Sequence, residues 1–420
     1  MSDLAELDLR LARAEAGPIP LLPTAALTPR RVLLVELALA MGAFAIGTGE
    51  FAIMGMLPQV AAGLDIGVAQ SGHVISAYAF GVVVGAPVIA VLGSTLARRT
   101  LLLILMMLFA AGNVASALAP DYATFALVRF LSGLPHGAYF GVAALVAAAL
   151  QPPSKRSQAV GRIMLGLTVA TLLGTPLATW MSQAFSWRLS FGFVGALAAL
   201  TVLLIACLLP ADRAAPRSSP LRELGALANG QVWLTLGIGA IGFGGMFAVY
   251  SYIASTATEV AGMSASAVPF VVAIFGAGMI VGNVVGARLA DRALMATVGG
   301  ALLWNVVVLA LFALTAQIPF MLCLCVFLIA SAVAIGPALQ IRLMDVAGEA
   351  QTLAAALNHS AFNLANGLGA WLGALTITAG HGYAATGWVG AALAVGGLAV
   401  FFASLALERR QRGNAAETAY

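Results

Sequence analysis

Apolar residues run along this chain in continuous blocks of about twenty, without the polar–apolar alternation of a half-buried strand. Breaking the pattern at charges, prolines and glycine clusters places helices near 32–57, 70–92, 100–118, 121–149, 159–181 and 187–209. A second set falls near 230–257, 265–289, 297–316, 318–343, 350–378 and 384–407. Each block is long enough to cross the hydrocarbon core, where only structures that pair every backbone group internally are viable. Barrel strands would alternate, so helices are expected. The stretch PADRAAPRSSPLRELGALANG (210–230) between the two sets is rich in Pro, Ser and Arg and reads as a linker. The pattern therefore predicts an all-α membrane protein with twelve transmembrane helices: a tail (1–31), a six-helix bundle (32–209), a linker (210–229), a second six-helix bundle (230–407) and a tail (408–420).

Composition narrows the function classes. Of 420 residues, 61% are hydrophobic and 9% charged, and the mean hydropathy is +1.01. A soluble domain carries about 25% charged residues, so this chain lacks the polar surface of a soluble enzyme. The net charge of +4 is dispersed in short clusters and forms no basic stripe, which argues against a nucleic-acid partner. Cys207, Cys323 and Cys325 lie inside apolar runs, and residues two apart on a helix do not share a face, so no metal site is expected. No H-E-x-x-H, G-x-S-x-G or phosphate-binding glycine loop is present, so neither an enzyme nor a cofactor is expected. The opening SDLAELDLRLARAEA is too charged for a secretory signal; Leu4, Leu7 and Leu11 give it a weak stripe suited to a membrane surface.

Basic residues orient the spans. Of the 20 Lys and Arg residues, 18 fall in the tails, the linker and the loops on one side; the exceptions are Arg188 and the intramembrane Arg129. By the positive-inside rule that side is cytoplasmic, with both termini inside. An internal repeat also emerges at an offset of 193 residues. Gly93-Ser-Thr-Leu-Ala-Arg98-Arg99 corresponds to Gly286-Ala-Arg-Leu-Ala-Asp291-Arg292, and Gly174 corresponds to Gly367. Parallel six-helix repeats with a midplane binding site are an architecture of secondary transporters.

Several stretches resemble the major facilitator superfamily, and within it the drug:proton antiporters that include sugar efflux permeases and chloramphenicol-type exporters. They are GEFAIMGMLP (49–58), GHVISAYAFGVVVGAP (72–87), RFLSGLPHGAYFG (129–141), LTVATLLGTPL (167–177), FSWR (185–188), YSYIASTATEVAG (250–262) and HSAFNLANGLGAWLG (359–373). The resemblance implies a two-bundle fold with alternating access in a bacterial cytoplasmic membrane. It also implies export of a small molecule by a monomer, coupled to proton entry. Gly166, Gly174 and Pro176 resemble the antiporter motif, where Gly permits close helix approach and Pro removes a backbone bond to make a hinge. One departure stands out: the family's loop pattern resembles G-x-L-A-D-R, yet Arg98 occupies the Asp position, while the second copy keeps Asp291 and Arg292. Gly93 and Gly286 open these two loops, and a gate latched from the second copy is the expectation.

Ionisable groups inside spans are functional candidates because burying charge in hydrocarbon is costly. Glu36 lies five residues from Arg31 and is expected to reach the interface or pair with arginine there. Glu50 sits eight residues before Pro58, about 12 Å below the outer end of its span, and Arg129 eight residues after Asp121 at similar depth. The two are expected to pair, with Glu50 exchanging the coupled proton. His136 lies seven residues beyond Arg129 on the same helical face and is a second carrier candidate. His359, Asn363 and Asn366 form a polar stripe at i, i+4 and i+7, suited to hydroxyl-bearing ligands or to interhelical packing. Tyr78, Tyr139, Tyr250 and Tyr252 are candidates for the amphipathic wall of a cavity. The reading that follows is proton-coupled efflux of small neutral or amphipathic solutes such as sugars or chloramphenicol-like drugs. Its rivals are export of cationic compounds and uncoupled facilitation or import. Epitope tags at both termini and in the linker should be accessible from the cytoplasm, and tags near Asp121 or His381 from outside; opposite placement of the two termini overturns the topology.

Overall fold

The computed structural model describes residues 28–93, 96–152, 156–211, 228–347 and 351–417. Among them, the helices long and apolar enough to cross a membrane are Pro29–Gly55 (α1), Val68–Ile89 (α2), Arg98–Leu118 (α3), Tyr122–Ala149 (α4), Ala159–Ala184 (α5), Trp187–Leu208 (α6), Gly230–Tyr250 (α7), Ala265–Arg292 (α8), Leu294–Thr315 (α9) and Pro319–Ala347 (α10). A further long helix, Gln351–Thr378 (α11), precedes the eleventh of the set, Tyr383–Gln411 (α12). The sequence pattern places a span at 350–378; α11 has the length, but Asn358, His359, Asn363 and Asn366 leave it less apolar than the other eleven. The N-terminal tail up to residue 27 and linker residues 212–227 lie outside the described residues.

Local chemistry sets the helix boundaries. Thr28 caps α1 through its hydroxyl and is followed by Pro29, whose missing N–H costs nothing in a first turn. Asp121 caps α4, and the donating Thr124 N–H holds its carboxyl below the ordinary carboxylate range. Ser186 and Asn229 cap α6 and α7 in the same way. Pro176 cannot donate to the carbonyl four residues back and clashes with it, and α5 widens into a π-helical turn over Ala170–Gly174 just before it. Arg188, the lone base of the opposite loops, caps the end of α3, donating to the carbonyls of Ala117 (3.1 Å) and Ala119 (2.6 Å).

Helices pair in a repeated scheme. In the first six, α1 packs on α5, α2 on α4 and α3 on α6; in the rest, α7 packs on α11, α8 on α10 and α9 on α12. The two sets meet through α2 against α11 and α5 against α8. The repeat extends to individual atoms: a Cβ on Gly85 would collide with the Leu134 carbonyl, and a Cβ on Gly278 with the Phe327 carbonyl. Both pairs are related by the 193-residue offset. Without a side chain at these points, the backbones close to van der Waals contact, which drives helix association where lipid removes the hydrophobic incentive.

Buried apolar residues divide unevenly along the helices. At the end nearer the chain termini each set has its own core, built around Val35, Tyr139 and Ile163 in one and Val232, Leu343 and Ala361 in the other. At the far end Phe51, Leu57 and Trp187 share a single core with Tyr250, Ile253 and Val271. The shared core continues through the second set to Ala290, Val298 and Phe401, so the two sets are joined at the far end while the terminal end of the first set keeps a core of its own. Gly85→Val and Gly278→Val should each lower stability in detergent by about 1–3 kcal/mol, as overpacking does. Gly141→Val, where a Cβ meets open space, should unfold at the wild-type temperature.

Candidate functional site

Polar side chains from α1, α2, α4 and α11 converge at the middle of the bundle. Glu50 is 6% exposed and Arg129 fully buried. They reach similar depth, as their sequence positions imply, but do not pair directly. The Arg129 guanidinium donates from Nη2 to the backbone carbonyl of Gly49 (3.1 Å). It is also held between aromatic faces, 4.2 Å from the Tyr78 centroid and 5.2 Å from that of Phe191. Its Nε and Nη1 have no hydrogen-bond partner. Cation–π contact offsets part of the desolvation of this charge.

The Glu50 carboxylate takes its hydrogen bond from the other set of helices: Asn366 Nδ2 donates to Oε1 at 3.2 Å. One residue on, Ser76 of α2 donates to the Gly367 carbonyl at 2.9 Å. Two polar bonds from the first set therefore grip α11 at consecutive residues. The other amides of the predicted stripe are placed differently. Asn363 Nδ2 turns back onto the His359 carbonyl, and the oxygens Asn363 Oδ1 and Asn366 Oδ1 are buried without donors.

An aromatic and imidazole wall runs beside this pair. Tyr78 OH and His136 Nδ1 are 2.9 Å apart, and the His136 ring lies 5.3 Å from Phe140. Phe140 stacks on His359 of α11 at 5.3 Å with a 9° interplanar angle, so the wall also bridges the two sets. On the other side of Glu50, Phe51 stacks with Phe247 and tilts against Tyr250, which lies flat on Phe275.

Tyr139 lies outside this wall: its hydroxyl donates to the Leu39 carbonyl of α1 (2.8 Å), buried within the first set. Tyr252 likewise donates to Ala370 of α11 and fixes packing there. Of the hinge candidates, Gly166 abuts the Ala40 backbone and Gly174 abuts Thr48, tying α5 to α1 before the π-helical turn and at its last residue; Pro176 follows it. Gly286 abuts Ala334 and Gly93 lies against Leu101. Asp291 and Arg292 are exposed, and neither makes a hydrogen bond or ion pair among the described residues, so the second-copy latch is not engaged.

The bond that does hold the terminal end of the first set involves Glu36. It is 1% exposed, and Arg162 of α5 grips both its oxygens, from Nε at 2.7 Å and Nη2 at 3.0 Å. Gln151, just past α4, adds a third bond at 2.9 Å. Sequence proximity suggests Arg31 as the partner; nothing local signals a residue 126 positions away. Phe51, Phe140, Phe247 and Phe275 were also hidden, since a phenylalanine in a membrane helix reads as ordinary apolar filling.

Comparison with known proteins agrees with this geometry. The profile of the Major Facilitator Superfamily matches residues 39–312. The chain is 40% identical over 369 residues to the inner membrane transport protein YdhP of Escherichia coli K12, covering 88% of this chain and 95% of that protein. It is 32% identical over 350 residues to the chloramphenicol resistance protein of Streptomyces lividans, covering 82% and 88% respectively. Its fold resembles the inward-facing, occupied crystal structure of a bacterial homolog of the human lysosomal transporter Spinster, with a TM-score of 0.67 at 17% identity, over 90% of this chain and 97% of that one.

Breaking the Glu36 bonds should be the more damaging of two charge removals. Glu36→Gln strips a carboxylate from a pair whose arginine is 36% exposed, so a loss of about 1–2 kcal/mol is expected by thermal unfolding, below that of a fully buried pair. Asp291→Asn, with no partner to lose, should unfold within about 0.5 kcal/mol of wild type.

Proposed function

This chain belongs to the Major Facilitator Superfamily and is a multi-pass membrane transporter, and we propose that it exports small neutral or amphipathic solutes in exchange for protons. The proposed topology places α11 among twelve spans in two six-helix bundles, with the termini on the cytoplasmic face of a bacterial inner membrane. In that frame the two bundles share their apolar core on the outer side, and the inner end of the first bundle has a core of its own, which supports an inward-facing arrangement. Transport needs a group that binds a proton within a solvent-reachable path and changes conformational preference when it does.

The observation that carries the reading is the contrast between the two buried acids. Glu36 is neutralised by Arg162. Among the described residues, Glu50 has no cation within ion-pair distance and one hydrogen bond, from across the interface between the bundles. A buried carboxylate without a paired cation keeps the option of taking a proton, whereas one clamped by an arginine loses a strong bond if it does. Arg129 supports Glu50 from a distance, its charge stored between Tyr78 and Phe191. His136, bonded to Tyr78 and packed on Phe140, shapes the wall, and the Phe140–His359 stack carries that wall across to the second bundle, surroundings suited to a ring-bearing solute. The relative named for chloramphenicol resistance supports drug-like cargo of that kind.

Glu50→Gln keeps the shape and hydrogen bonding of the side chain but fixes its neutral state. In proteoliposomes it should abolish substrate-driven proton flux while leaving ligand binding intact and independent of pH. Normal proton flux in that variant overturns the mechanism.

A further inference from the structure

The single bond between Glu50 and Asn366 has an unused half. Asn366 Nδ2 donates to one carboxylate oxygen at 3.2 Å, long for a bond to a charged acceptor. The Asn366 Oδ1 atom of the same amide is buried with no donor. A charged carboxylate has no hydrogen to offer it. A carboxylic acid has one, and an acid and a primary amide face to face close a ring of two hydrogen bonds. We propose that Asn366 reads the protonation state of Glu50: the protonated acid donates to Asn366 Oδ1 while Nδ2 continues to donate, so protonation doubles the bond joining α1 to α11. This rests on the reading of Glu50 as the proton-binding group.

The step is a simple protonation. A hydronium ion from the aqueous path gives its proton to Glu50, an O–H bond forms and water is released. Asn366 gains and loses no proton, donating one hydrogen bond and accepting the other, so it is a positioning residue. The second bond removes a buried orphan acceptor, which otherwise carries its full desolvation cost. It forms between helices of opposite sets, next to the Ser76–Gly367 bond. Protonation thereby favours the arrangement seen here, with the far ends of the two sets joined around Phe51, Phe247 and Tyr250.

The repeat supports a specialised role. At the 193-residue offset, Glu50 corresponds to Phe243 and Asn366 to Leu173, so the second copy carries neither an acid nor an amide at these positions. Other ionisable groups surround the pair: Arg129 and His136 from α4, Tyr78 from α2, His359 on α11 itself and Tyr250 from α7. From α5, α6 and α8 come Gly174, Phe191 and Phe275, none of which titrates. None of these groups donates to Asn366 Oδ1.

Spin labels at Leu96 and Leu289, both exposed and on opposite sets, in a full-length background lacking Cys207, Cys323 and Cys325, report the opening of the terminal end. Between about pH 8.5 and about pH 5, the ratio of the long-distance to the short-distance population should rise about fivefold, the factor supplied by one net hydrogen bond. Asn366→Leu should keep the high-pH distances of the parent and respond less than about 1.5-fold. Asn366→Gln, which retains the amide, should recover part of the response and serves if the leucine variant does not fold. Glu50→Gln, whose amide can make both bonds, should hold the low-pH distribution at every pH. A full response in Asn366→Leu with a flat Glu50→Gln overturns the role of Asn366 alone; a response that persists in Glu50→Gln overturns the reading of Glu50 beneath it.

Discussion

A carboxylate enclosed by helices has only the groups around it to replace the water it has lost. At Glu50 those groups are few. One amide reaches it from α11, and one guanidinium stands nearby, committed to the Gly49 carbonyl and to two aromatic faces. This sparse solvation sets the arrangement of the middle of the protein. Arg129 needs Tyr78 as a platform, Tyr78 is held by His136, and His136 packs on Phe140, which stacks on His359. The charge and the interface between the two sets of helices are therefore one problem. The group that solvates the acid comes from the opposite set, so moving the sets apart strips the acid of that bond, and changing the acid changes how well the sets hold together.

Glu36 shows what the same residue type does when it is fully paired. Three hydrogen bonds from two side chains, one of them an arginine engaging both oxygens, lock α1 to α5 and to the end of α4 within a single set. Both members of the pair move together if that set moves as a unit, so it can stiffen the set without opposing rotation of one set against the other. The matching place in the second set holds Asn229, which donates to the Val346 carbonyl at the end of α10. The link is geometrically similar but neutral. The first set carries its structural charge at this end, and its unpaired acid at the middle.

Much of this architecture was readable from the chain alone, for physical reasons. Lipid forces continuous apolar runs on any helix that crosses it, and that constraint exposes the spans and the 193-residue repeat. The depths of Glu50 and Arg129 were also readable, because helix rise converts sequence distance into ångströms. Their separation was not. Whether an arginine bonds to a carboxylate or to the backbone beside it depends on a rotamer, and on aromatic faces contributed by residues 51 positions earlier and 62 positions later, Tyr78 and Phe191. Tyr139 illustrates the same limit: its spacing fits a cavity wall, but Gly42 leaves room for its hydroxyl to reach α1 and bond there. The polar stripe of α11 was visible as a pattern; which of its amides looks across the interface was set by a neighbouring glycine, Gly367, that lets α2 approach.

The repeat shows where the two sets share their chemistry and where they do not. Where both copies keep the same chemistry, as at Gly85 and Gly278, the two sets gain matched, close-packed joints that define each as a body. Where the copies differ, the two-fold relation is broken and the two sets are no longer energetically equivalent. The sharpest difference lies at mid-depth, with an acid and an amide in one copy and Phe243 and Leu173 in the other. Apolar side chains there have no proton to exchange. On the proposed reading of Glu50, the acid–amide contact responds to the aqueous phase that protonates it, and because its two halves sit on different sets, that response biases how the sets are arranged. A symmetric pair of such contacts would oppose each other whenever both bound protons. On the same reading, a single such contact lets a bound proton favour one arrangement over the other.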